Sequence, residues 1–105
     1  MEIYKEKESG KLSAYLGTVN SPDISDSIAR ILQKKYNAKI INQKITASKI
    51  CKHWLFEING FEVGLMQDDI MPLGIYAKTI EANDLVNRIA DDLEPLIKDI
   101  KDEDF

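Results

Sequence analysis

The amino-acid sequence predicts an α+β domain, a mainly antiparallel sheet with two helices packed on one face, in the order ββαβββα. Two segments repeat their large apolar residues with the period of a helix, and shorter stretches before and between them alternate apolar with polar residues. One pair of those stretches flanks Asn59-Gly60, a dipeptide that readily turns a hairpin. At 105 residues, 44% hydrophobic and 30% charged, the chain has room for one core, so residues 1–105 are read as a single domain.

Ile3 to Lys7 and Lys11 to Leu16 read as two strands around Ser9-Gly10, where glycine supplies the positive φ of a tight turn. Asn20-Ser21-Pro22-Asp23 signals a helix start: proline is tolerated in the first turn, and Ser21 or Asp23 can accept from the free amides. The helix runs to about Tyr36. Ile24, Ile28, Ile31, Leu32 and Tyr36 fall on one stripe, while Asp26, Arg30 and Gln33 face water. Asn37 suits a left-handed stop, and Lys34 and Lys35 suit the dipole near the helix end.

Lys39 to Thr46 reads as a strand and Ala47-Ser48-Lys49 as a connection. His53 to Ile58 and Phe61 to Gln67 form the hairpin, whose two-residue type I′ turn sets the register. Ile58 then faces Phe61, Phe56 faces Val63 and Trp54 faces Leu65, and these six large apolar side chains must be covered. On the opposite face Leu55 meets Gly64, His53 meets Met66, and Glu57 lies across from Glu62. Gln67-Asp68-Asp69 turns the chain, Ile70-Met71-Pro72 is irregular, and Leu73 to Thr79 returns as a strand against Phe61 to Gln67. From about Asn83 a long helix is marked by Leu85, Ile89, Leu93, Leu96 and Ile100, widened by Val86, Ala90 and Ile97. Pro95 falls on its polar side, where a missing amide bends the helix round the sheet or breaks it in two. Asp99, Asp102, Glu103 and Asp104 gather at its C-terminus, where the dipole does not favour negative charge.

Charge is unevenly distributed. Residues 27–56 carry seven Lys or Arg and no acid, whereas residues 67–105 carry eleven acids against four Lys or Arg, within a net charge of −4. A basic middle beside an acidic end accounts for this inside one molecule, and a charged partner accounts for it between two.

No apolar run approaches the roughly 20 residues that cross a bilayer, and the charged opening lacks a signal peptide's apolar centre. A cytoplasmic protein without a membrane partner is therefore expected. One cysteine, Cys51, and one histidine, His53, are too few for a protein-built zinc site, and Asp68-Asp69 is a fragment of a calcium shell, so neither metal nor other cofactor is expected. Catalysis by Cys51-x-His53 would also need an orienting group and an oxyanion site, and Cys51 has no helix start beside it to activate the thiol; no glycines form a phosphate loop, and no serine sits in a nucleophile elbow. No enzyme activity is expected. The acid-free stretch argues for nucleic-acid binding, but a pI of about 4.9, two arginines and no stacking motif outweigh it.

Surplus negative charge remains. Like charges directly opposite, as in Glu57 and Glu62, cost a few tenths of a kcal/mol, a cost that a basic partner reverses. The expected partner-binding residues are Glu57, Glu62, Asp68 and Asp69 at the hairpin and the turn after it, joined by Asp84, Asp91 and Asp92 on the exposed face of the last helix. In the competing reading a lysine of a neighbouring strand, Lys44 or Lys78, sits between the glutamates.

An acidic, cysteine-poor, single-domain chain of this size, with fifteen Ile and twelve Lys, resembles the immunity proteins that bacteria pair with contact-dependent inhibition and other polymorphic toxins. The resemblance is one of type over the whole chain and carries no site residue across. It implies a non-enzymatic binding protein that neutralises a cognate toxin, often a basic nuclease, by covering its active site or substrate groove. Carboxylates would then occupy the cationic groove where phosphates bind. The alternative is a homo-oligomeric structural or adaptor module in which the basic middle of one copy meets the acidic end of another.

Overall fold

The computed structural model of the chain describes residues 2–17, 24–45, 51–68 and 73–103. β1 (Glu2–Lys5) and β2 (Leu12–Gly17) form a hairpin, and α1 (Ile24–Tyr36) follows. Next come β3 (Lys39–Ile45), β4 (Lys52–Ile58), β5 (Phe61–Gln67) and β6 (Leu73–Ala77), and a 3₁₀ turn at Ile80–Ala82 leads into α2 (Asn83–Glu103). The six strands make one antiparallel sheet in the spatial order β1-β2-β6-β5-β4-β3. The predicted order ββαβββα is the observed one. No helix among the described residues is long and apolar enough to cross a membrane.

Alternation along the strands builds the core. Leu12, Ala14 and Leu16 of β2, Trp54, Phe56 and Ile58 of β4, Val63 and Leu65 of β5, and Leu73, Ile75 and Ala77 of β6 are all buried on one face. α1 covers β4 and β5 with Ile24, Ile28, Ala29 and Leu32, and α2 covers β2 and β6 with Leu85, Val86, Ile89, Ala90 and Leu93. Each large side chain removed from water in this way contributes roughly 1.5–3 kcal/mol.

Local signals fix where the elements end. Asn37 takes φ 57°, the left-handed conformation that stops the helix, and the Ala38 amide donates back to the Leu32 carbonyl at 3.3 Å. Asn59 and Gly60 take φ 52° and 84°, the pair of positive values a type I′ turn needs, and the β4–β5 register is the predicted one throughout. Asn83 ties the start of α2 to the first hairpin, its Oδ1 accepting from the Leu12 amide and its Nδ2 donating to the Gly10 carbonyl, both at 2.8 Å.

Several expectations are corrected. Phe61 was expected under the helices but is 38% exposed, lying at the hairpin tip beyond the last β5–β6 strand pair, Val63 with Ala77. Leu96 was expected in the buried stripe but is 40% exposed: a helix of 21 residues is about 31 Å long, strands of five to seven residues span only about 17–24 Å, and the last turns overhang the sheet. Asp26 does not simply face water; it accepts from Lys52 Nζ at 2.7 Å, and the Lys52 side chain is only 8% exposed at the end of the core face. That pair removes one cation of the basic middle from any outer surface. β1 ends at Lys5 rather than Lys7, since Gly10 N–H donates to the Glu6 carbonyl and Glu6 N–H to the Lys11 carbonyl, closing the turn early. α2 runs unbroken through Pro95. The helix-start signal at 20–23, the connection at 47–49, the irregular stretch at 70–72, Asp104 and the side chains of Ile97, Asp99, Ile100, Asp102 and Glu103 lie outside the described residues.

Candidate functional site

Both helices lie on the same side of the sheet, so no described element covers the other side. Strand pairing orders that open face into three transverse rows. At the hairpin tip Lys39, Glu57 and Glu62 stand side by side, with Lys78 next to Glu62 just beyond β6. The second row reads Asn42, Leu55, Gly64, Tyr76, Ser13, Tyr4. The third reads Lys44, His53, Met66, Gly74 and Tyr15.

Two mid-strand glycines shape this surface. A Cβ on Gly64 would lie 2.1 Å from the Tyr76 ring, so the absence of a side chain there lets that ring lie across β5. Tyr76 thereby reaches the strand beyond, and its hydroxyl lies 2.5 Å from His53 Nε2. Gly74 repeats the device: Tyr15 lies across it, with ring carbons 3.3 and 3.4 Å from where a Cβ would stand, and Tyr4 packs edge-on to Tyr15 with ring centroids 6.0 Å apart. Two aromatic pairs, Tyr4 with Tyr15 and Tyr76 with His53, thus lie in one belt across five strands, bordered by Leu55 and Met66. Burial pushes the Tyr76 hydroxyl above its ordinary pKa, which favours its neutral form.

Beside the belt, Asn42, Lys44, His53, Leu55, Tyr76 and Lys78 line a pocket of about 200 Å³. Asn42 Oδ1 already accepts from the Gln43 amide at 2.8 Å, so Asn42 offers the pocket its NH₂ group.

The acids singled out from the sequence are divided by the fold. Glu57 is exposed on the open face, flanked by Lys39 and Glu62, and Glu62 lies 3.6 Å from Lys78 Nζ. Of the two lysines proposed to relieve the glutamates, Lys78 does so and Lys44 stands across from His53 instead. Asp68 is half-buried and engaged within the chain, and Asp69 lies outside the described residues. Asp84 and Asp91 are exposed, but on the helical layer, behind the sheet from Glu57 and Glu62. Asp92 was expected on the exposed helix face; it is half-buried, accepts from the Tyr36 hydroxyl, and lies 3.5 Å from Lys35 Nζ. That hydroxyl bond, with Lys35 and Arg88 nearby, holds the Asp92 carboxyl below the usual carboxylate range. Burial, with the Asp92 bond and charge adding to it, pushes Tyr36 up to about 12. These acids do not make one contiguous face.

The belt was not anticipated from sequence, although Gly64 and Gly74 inside strand patterns were its visible signal, since a mid-strand glycine often marks a close approach. Among the described residues no group of three or more His, Cys, Asp or Glu is placed to hold a metal ion. Comparison of the chain with protein-family models, with curated proteins and with solved structures returns no match.

Proposed function

We propose that the chain is a non-enzymatic binding protein of the immunity type, acting in the cytoplasm, and that it docks a toxin domain on the open face of its sheet. The observation that carries the docking surface is the aromatic belt laid over Gly64 and Gly74, because Tyr and Met are the residue types that supply anchors in protein interfaces. The immunity assignment itself rests on the resemblance in size, acidity and composition.

Charge and area then shape the mode of docking. Lys39 and Lys78 bracket Glu57 and Glu62, so that row is close to neutral and steers a basic partner only weakly. Apolar and aromatic anchors supply the affinity, and salt dependence is shallow. Six strands spaced about 4.8 Å apart and about 20 Å long give a flat footprint near 500 Å², short of the roughly 800 Å² an ordinary interface takes from each partner. The partner must therefore spread over an edge. β3 is the suitable one, with all seven residues exposed and Ile40, Ile41 and Ile45 at 43%, 47% and 47%.

The test is co-expression with the C-terminal domain of any large protein encoded next to this chain. Restored growth and an isolable one-to-one complex are expected, with Tyr15→Ala weakening the complex at least about tenfold. Undiminished toxicity and no complex reject the reading.

A second reading, a homo-oligomer, is favoured by the same β3 edge, since an open strand with three exposed isoleucines is a template for pairing. Lys39 and Lys44 oppose β3 meeting its own copy, so the contact would set this basic edge against acids of a second molecule. Light scattering at two salt concentrations separates the readings: an invariant monomer removes the second.

A further inference from the structure

We infer that the pocket between β3, β4 and β6 on the open face is a binding site for an oxyanion, a phosphate or carboxylate group carried by a small molecule. The inference goes beyond the docking reading and needs no protein partner. Its lining residues are Asn42, Lys44, His53, Leu55, Tyr76 and Lys78, and every polar one of them can donate a hydrogen bond.

Lys44 and Lys78 bring two ammonium groups. Asn42 accepts from the Gln43 amide through Oδ1, an orientation that leaves its two N–H donors uncommitted. The 2.5 Å contact between His53 Nε2 and the Tyr76 hydroxyl uses one hydrogen. If Tyr76 donates it, His53 keeps Nδ1–H; if His53 donates it, Tyr76 keeps its O–H. Either arrangement leaves the pair with one further donor. Among the described residues no carboxylate lines the pocket, although Glu62 competes for Lys78 from 3.6 Å. Lys44 is therefore the principal counter-charge. Leu55 and the Tyr76 ring supply an apolar wall for the carbon skeleton that bears the anion.

Size narrows the ligand class. A volume of about 200 Å³ holds several waters. That admits an anionic group with a short organic body. The site exists because Gly64 leaves room for Tyr76 to reach His53.

Titration of the full-length chain with inorganic phosphate, and separately with acetate, followed by NMR at constant ionic strength set with chloride, tests the assignment. Saturable shifts of the His53 and Tyr76 ring signals are expected for at least one of the two anions. Lys44→Gln, at an exposed position where the fold has little at stake, should raise the saturation midpoint about three- to tenfold while leaving core resonances in place. Saturation by phosphate alone assigns a phosphorylated ligand; saturation by acetate, alone or with phosphate, assigns a carboxylate. Shifts that grow linearly with either anion, that chloride reproduces, or that Lys44→Gln leaves unchanged overturn the site. None of these outcomes depends on whether a toxin domain binds, and Tyr15→Ala, outside the pocket lining, separates the two claims.

Discussion

The covered and open faces of this sheet are made by the same strands, one residue in two, and they are organised by different physics. On the covered face, side-chain size and burial decide everything: Trp54, Phe56, Ile58, Val63, Leu65 and Ile75 interlock beneath two amphipathic helices. On the open face, the decisive residues are the smallest. Gly64 and Gly74 are gaps, and tyrosines from neighbouring strands lie across them. A face filled from both sides has no freedom left to recognise anything, whereas a face levelled by rings over glycines presents flat, half-exposed anchors with hydroxyl and imidazole groups at their edges.

The contrast is sharpest in stability. Phe56→Ala should cost about 3–5 kcal/mol, while Leu55→Ala, its immediate neighbour on the open face, should cost about 1 kcal/mol or less. Urea unfolding of the two variants measures the difference; equal costs would mean that the open face is covered after all.

Next in size is the glycine gap. Gly64→Ala places a methyl group 2.1 Å from the Tyr76 ring, an overpacking expected to cost about 1–3 kcal/mol. In a Tyr76→Ala background the same substitution should be nearly harmless, so the double-mutant cycle should show a coupling of similar size. Additive costs would place Tyr76 away from Gly64.

A smaller effect belongs to the helical layer and depends on pH. The folded chain holds the Tyr36 proton up to about 12, against an ordinary value of 10.0, and holds Asp92 ionised below its ordinary 3.8. The Tyr36–Asp92 bond therefore stabilises fully between about pH 4 and pH 10. It is lost as pH rises from 10 towards 12 through the folded tyrosine pKa, and as pH falls through the depressed carboxyl pKa. Tyr36→Phe should lose about 0.5–1.5 kcal/mol at neutral pH and flatten the alkaline decline. Unfolding midpoints measured from pH 7 to 12 check this, and an unchanged alkaline slope contradicts it.

Smallest of all is the charged row at the hairpin tip. Glu62→Gln removes both the contact with Lys78 and the repulsion from Glu57, so the two changes oppose each other and stability should move by no more than about 0.5 kcal/mol. A loss of several times that would show the pair to be structurally important.

Much of the covered face was legible in the sequence because its determinants are local. Asn59-Gly60 sets the β4–β5 register residue by residue, Asn37 stops α1, and the stripe from Leu85 to Leu93 identifies the cover. What could not be read is non-local. The return of β6 against β5 was expected, but nothing near β6 says that β2 lies on its other side, and that placement is what brings Tyr15 over Gly74. Asp92 appears free on a helical wheel because its partner Tyr36 belongs to the other helix, 56 residues earlier. Leu96 looks buried for a related reason: periodicity records which way a side chain points and not whether the sheet still lies beneath it. The acids of the hairpin and of the last helix, close in composition, are separated by the thickness of the domain.

The central claim, that recognition belongs to the open face and not to the acidic helical layer, is tested most directly by one pair of affinities. The dissociation constant of a cognate toxin domain should rise at least about tenfold for Tyr15→Ala and stay within about twofold for the double variant Asp84→Lys, Asp91→Lys. The reverse ranking, with the helix-layer variant crippled and Tyr15→Ala binding normally, contradicts it.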